Sequence, residues 1–183
     1  MQLSMRKKVL AGAVAATALV GLAAGPSFAA TGNTTTSFSL SAGTLSVSVP
    51  ASASLSAVSE SLLGGTATGS LGSTSVTDTR GGLSLAWTAT VSSSDFTTGA
   101  ASADETVTKA NVGYTPGNVT SSGNATIPAV GTAAPSLATG VAVVAATNVI
   151  GSVSASWNPT IAVTVPSTKV AGTYSGTITH SVA

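Results

Sequence analysis

Leu83, Leu85, Trp87, Ala89 and Val91 occupy alternate positions of one run, with Ser84, Ala86, Thr88 and Thr90 between them. Only an extended strand turns every second side chain to the same face, so the run predicts a strand with one apolar side. A second run repeats the device, with Trp157 followed by Ile161, Val163 and Val165. These segments hold the chain's two tryptophans. A buried Trp removes about 200 Å² from water, on the order of 5 kcal/mol gross at ~25 cal/mol per Å², so two of them can organise the core of a sandwich.

The remaining segments are short and bounded by Gly and Pro. Phe38 and Leu40 alternate with serines, Ala42-Gly43 reads as a turn, and Leu45, Val47 and Val49 follow before Pro50, which together predict a hairpin. Residues 51–72 fit either a helical turn or an irregular strand through Leu55, Val58, Leu62 and Leu63, broken by Gly64-Gly65. Strands are expected over 75–80 and 83–91 with Gly81-Gly82 as the turn, then at 112–115, closed by Pro116-Gly117. Residues 97–108 read as loop, and 121–135, which lack periodicity, as a long surface excursion. Further strands are expected at 141–145, 152–157, 160–165 and 173–182. In the last of these, Tyr174, Gly176, Ile178, His180 and Val182 share one face and Ser or Thr residues the other. Short strands punctuated by turns predict an all-β, Ig-like antiparallel β-sandwich.

The first 29 residues have the form of a secretory signal peptide: Arg6, Lys7 and Lys8, an apolar run over 9–24, Gly25-Pro26, then Ser27-Phe28-Ala29 with small residues at −3 and −1. Cleavage is expected after Ala29. The alternative, an uncleaved anchor, needs a span of ~20 apolar residues, longer than this run. The remaining 154 residues suit a short polar lead over 30–36 and one domain over 37–183. They carry three basic residues, Arg80, Lys109 and Lys169, against five acids, a net charge of −2. Nucleic acid, which requires clustered Lys and Arg, is not an expected partner. The absence of cysteine excludes disulfides and thiolate metal sites. With 6% charged residues, far below the ~25% usual for soluble domains, solubility rests on Ser, Thr, Asn and Gly. Strand edges so weakly charged are poorly defended against pairing, which makes self-association an expected behaviour.

Several stretches resemble one known family: Val76-Thr77-Asp78-Thr79-Arg80-Gly81-Gly82 leading into Trp87, Asp95-Phe96-Thr97-Thr98, Ala110-Asn111-Val112-Gly113-Tyr114-Thr115-Pro116-Gly117, Trp157-Asn158-Pro159, and the ending from Ala171-Gly172-Thr173-Tyr174 to Ala183. Together they are similar to the WxL-domain family of secreted bacterial surface proteins, in its shorter actinobacterial form, from about Ser37 to the end. The family's Trp-x-Leu positions read Trp87-Thr88-Ala89 and Trp157-Asn158-Pro159. The resemblance implies a bacterial cell-surface location and non-covalent attachment to the wall, with cell-wall glycan or peptidoglycan as partner.

No catalytic set emerges from the residues. His180 is the only histidine, and an imidazole metal site needs two or three ligands, so neither a metal nor another cofactor is expected. Asp104 and Glu105 are adjacent and point apart in a strand, unlike the facing carboxylates of glycoside hydrolysis. In a loop they, or Asp95, read as solvated residues or as oxygen ligands for Ca²⁺, without the Asp-x-Asp-x-Asp-Gly pattern. Asp78 and Arg80 read as a charge pair stabilising the Gly81-Gly82 turn, with ligand binding as the rival reading. Trp87 and Tyr174 read as motif and core residues. Trp157 reads as core or, with Asn158 and Tyr114, as an exposed platform for sugar rings. Asn33, Asn118 and Asn124 match the N-glycosylation pattern, which carries no meaning in a bacterium. No Leu-Pro-x-Thr-Gly motif follows the last strand, so sortase anchoring is not expected. The functional expectation is a non-enzymatic, secreted wall-bound surface protein; the alternative is a self-assembling structural or adhesive subunit.

Overall fold

The computed structural model describes residues 30–59 and 63–183. The expected signal peptide and Leu62 lie outside them. The chain divides into two units, Met1–Ser39 and Leu40–Ala183. In the first, residues 30–39 carry no regular structure and are exposed. The second is the antiparallel β-sandwich that the alternation predicted.

Eleven strands are described: β1 Leu45–Ser48, β2 Gly65–Ser70, β3 Thr74–Asp78, β4 Leu85–Ser93, β5 Phe96–Thr97, β6 Thr106–Val107, β7 Val112–Thr115, β8 Val119–Thr126, β9 Val141–Trp157, β10 Thr160–Val165 and β11 Ile178–Val182. The larger sheet is built on β9. One edge of β9 pairs with β8. The other takes two strands end to end: β3 along the C-terminal half, from Thr74 opposite Trp157 to Asp78 opposite Val153, and β4 along the N-terminal half, from Leu85 opposite Val149 to Val91 opposite Val141. Outside them lie β1, paired with β3, and β11, paired with β4. The second sheet is β2-β10-β7, and β5 and β6 form a small ribbon.

The core fills the space between the sheets because alternate residues of each strand turn inward. Val76, Trp87, Val91, Val149, Val153 and Trp157 from the larger sheet meet Val112, Tyr114, Ile161 and Val163 from the smaller, each 3% exposed or less. Both tryptophans are therefore core residues.

Several expectations are corrected. The 83–91 strand starts at Leu85: Ser84 takes φ 62°, which turns the chain, and Leu83 is 83% exposed. Phe38 and Leu40 form no hairpin with β1, whose described partner is β3. The ambiguous stretch 51–72 contains β2, where Gly65, Ala67 and Gly69 keep the inner face small beneath Val58 and Leu55. Residues 97–108 hold β6 and the 3₁₀ turn Ala103–Glu105. The supposed excursion 121–135 contains most of β8, and its Ala134 is buried against Tyr114 through a backbone bridge. The two strands expected at 141–145 and 152–157 are one, β9, while only residues 178–182 of the last run are strand.

Candidate functional site

Of the three residues expected as an exposed platform, two are buried. Trp157 is 3% exposed and Tyr114 1%, so neither ring is open to a ligand. The cause is pairing on every side. Trp157 ends β9 between Thr74 of β3 and Val119 of β8, and its inward ring meets Tyr114 rising from β7 in the opposite sheet. Trp157 Nε1 donates to Tyr114 Oη at 2.9 Å, and that oxygen lies 3.0 Å from His180 Nε2 on β11. The tryptophan can only donate, so Tyr114 Oη is the acceptor of that bond, and the direction of the Tyr114–His180 bond follows the imidazole tautomer. The three side chains, two buried and His180 half-buried, form a relay that ties the sheets together. Burial pushes the Tyr114 hydroxyl up to about 12 and the His180 imidazole below its ordinary value. Asn158 stays exposed, its Oδ1 accepting a hydrogen bond from Ser70 Oγ at 2.6 Å.

Asp78 and Arg80 form the expected charge pair. The Asp78 carboxylate, wholly buried, accepts from Arg80 Nε at 3.0 Å, from Arg80 Nη2 at 2.8 Å and from the Arg80 backbone N–H at 3.0 Å. Arg80 Nη2 also donates to the Ala86 carbonyl at 2.9 Å, so the side chain spans the loop that joins β3 to β4. The guanidinium holds the Asp78 carboxyl below the usual carboxylate value. Glu105 and Asp95 are engaged in loop structure. Glu105 Oε2 accepts from Ser102 N–H, Ser102 Oγ and Ala100 N–H, and Asp95 Oδ1 from Lys109 N–H. Tyr174 Oη donates to the carbonyls of Val170 and Asp104, which clamps residues 170–174 to the 3₁₀ turn. Among the described residues no three His, Cys, Asp or Glu side chains converge as a metal site.

The feature that sequence reading did not assemble is the outer face of the larger sheet. The registers align Ser122 of β8, Ser154 of β9, Thr77 of β3 and Ser46 of β1 in one cross-strand row. The next row holds Thr120, Ser156, Ser75 and Ser48. With strands ~4.8 Å apart and alternate residues ~6.7 Å apart along them, eight hydroxyls form a lattice roughly 14 Å wide. Beside it β4 and β11 add Thr88, Thr90, Ser92, Thr179 and Ser181. Neighbouring hydroxyls bond one another, Thr120 to Ser156 at 2.8 Å and Thr90 to Ser181 at 2.6 Å. No charged residue of the described strands lies on this face: Asp78, the one charge within them, turns inward. His180 also turns inward, so no imidazole stands beside these hydroxyls to activate one as a nucleophile. The alternation of Ser and Thr was visible in each strand; the rows depend on registers between strands far apart in the chain, which the sequence does not state.

A groove of about 1010 Å³ opens between residues 53–59 and 169–176, with Leu55, Val58, Phe96, Val107, Val163 and Val165 in its lining. Its neighbour, a cavity of about 180 Å³, shares Leu55, Phe96 and Gly176 with it and reaches Ile178, His180 and Thr74. Thr74 Oγ1 and His180 Nδ1 are both buried with no partner. No family model, curated protein or solved structure matches the chain.

Proposed function

We propose that this protein is a non-enzymatic bacterial surface protein, exported by its N-terminal segment and held non-covalently to the cell wall, and that the hydroxyl lattice of the larger sheet is the face that meets the wall glycan. The observation that carries this reading is the pair of four-hydroxyl rows, in register and free of charge. Each hydroxyl both donates and accepts, which matches the chemistry of a polyol surface. A neutral face selects neither phosphate nor cations. Single hydrogen bonds net only about 0.5–1.5 kcal/mol after exchange with water, so retention depends on many being made at once along a repeating polymer. The WxL resemblance over 37–183 and the export segment support the same location.

The test is co-sedimentation of the purified protein with washed peptidoglycan. Saturable binding that survives about 1 M salt, where the screening length falls to about 3 Å, is the expected result. Absence of saturable binding by folded protein, or its loss in salt, would contradict the proposal.

A further inference from the structure

The cavity of about 180 Å³ lies between the sheets, beside the start of β11. Strand alternation places its walls. Thr74 at the head of β3 and Ile178 and His180 of β11 turn inward from the larger sheet, Ile161 of β10 lines the same space from the smaller one, and residues 49–53 run along its side without regular structure. Leu55, Leu71, Phe96, Ile161 and Ile178 supply apolar wall.

Two polar atoms interrupt it. Thr74 is wholly buried and its Oγ1 has no hydrogen-bond partner; His180, whose Nε2 lies 3.0 Å from Tyr114 Oη, has none at Nδ1. A buried polar atom left unpaired costs free energy, and folded proteins carry few of them. Here two border one cavity. Thr74 Oγ1 both donates and accepts, and Nδ1 does one or the other according to the tautomer, so a single group that serves both must itself donate and accept, as a hydroxyl does. No charged side chain lines the cavity, and burial holds the imidazole below its ordinary value, so an ionised ligand would give up its water for no counter-charge. Volume sets the size: a cavity of ~150 Å³ walled by Leu, Ile and Phe takes benzene, and this one has room for a ring with a substituent.

We infer that this cavity binds a small neutral phenol, with the ring between Leu55, Phe96, Ile161 and Ile178 and the hydroxyl between Thr74 Oγ1 and His180 Nδ1. Leu55 and Phe96 also line the larger groove, which gives the ligand its way in. The hydroxyl lattice lies on the other face of the same sheet, so occupancy of the cavity and retention on the wall are separate properties.

His180 is the only histidine of the sequence, so in protein isotopically labelled at the imidazole nitrogens one pair of resonances reports on the site. Phenol titrated into the protein near neutral pH is expected to bind saturably and to move the Nδ1 resonance. Toluene, of the same size without the hydroxyl, is expected to bind at least about tenfold more weakly, because it leaves both polar atoms unpaired, and benzoate is expected not to bind. Thr74→Val removes only an unpaired hydroxyl, so the unfolding midpoint is expected to be kept or raised while the advantage of phenol over toluene shrinks at least about threefold. Ile178→Phe fills the cavity and is expected to abolish binding of both rings; should it fail to fold, the Thr74→Val comparison decides alone. An Nδ1 resonance that phenol leaves in place, the result for a cavity that takes only water, would overturn the inference. So would toluene or benzoate binding as tightly as phenol, an advantage unchanged in Thr74→Val, or binding that survives in folded Ile178→Phe.

Discussion

Tyr114 is the residue on which two others depend. Replacing it by Phe keeps the ring but leaves the buried Trp157 indole N–H without a partner and removes the partner of His180 Nε2, at a cost of about 1–3 kcal/mol in urea unfolding, and wall retention is expected to be unchanged. Trp157→Ala removes a core ring and is expected to destabilise by about 3–5 kcal/mol. The His180 imidazole gives the fold a pH dependence of definite sign. Its folded value lies below the ordinary 6.5, because burial disfavours the cation. The unfolded chain then binds a proton that the folded one refuses, so stability is full above pH 6.5 and falls as pH drops from there toward the folded value. His180→Gln is expected to flatten that slope in urea titrations taken at successive pH values. Asp78 acts in a lower window, below its ordinary 3.8, and leaves the first slope untouched. At this scale the sequence was informative where alternation was regular: Trp87, Ala89 and Val91 lie in the core as the period of two predicts, whereas Leu83, ahead of the turn at Ser84, does not. Tyr114 and Trp157 were ambiguous because each stands beside a proline turn, which marks a strand end but does not tell whether a second sheet covers it.

Strand β9 explains most of what the sequence concealed at the level of elements. Its buried residues run Val143, Val144, Ala146, then Val149, then Val153, Ala155 and Trp157, so the period of two is interrupted. Register shifts between Leu85 and Trp87 and between Ala89 and Thr90 mark two bulges, and Asn148 at φ 53° sits beside the first. Each extra residue flips the phase, so one strand of 17 residues looked like two short ones with a gap. β8 was invisible for another reason: at the edge of β9 its side chains are mostly exposed hydroxyls and Asn, and backbone pairing carries it. β7 and β10 were legible because they alternate cleanly between turn residues. Two glycines separate the effects of bulge and contact. Gly123 and Gly151 both have positive φ, but a Cβ on Gly123 would run into the Ser152 carbonyl, whereas one on Gly151 meets nothing within 4 Å. Gly151→Ala is expected to cost about 1–2 kcal/mol from the backbone conformation alone. Gly123→Ala is expected to cost more and to loosen β8, read as faster amide exchange across 119–126.

For the whole molecule, the division of chemistry between the two faces of the larger sheet organises the account. Inside are the rings, the relay and the buried carboxylate; outside are hydroxyls in register. The low charge of the chain, a puzzle for solubility when read from composition, becomes a property of this surface: hydration is supplied by Ser and Thr, and the face stays neutral. The central claim is that this lattice, and not an aromatic platform, meets the wall. The most direct measurement is the fraction of protein retained by washed peptidoglycan for the wild type and for a variant with Thr77→Val, Thr120→Val, Ser154→Ala and Ser156→Ala, which removes half the lattice hydroxyls and keeps the inner face. Retention at least tenfold weaker, with the urea midpoint preserved, is the result expected; equal retention by the two proteins would contradict the claim.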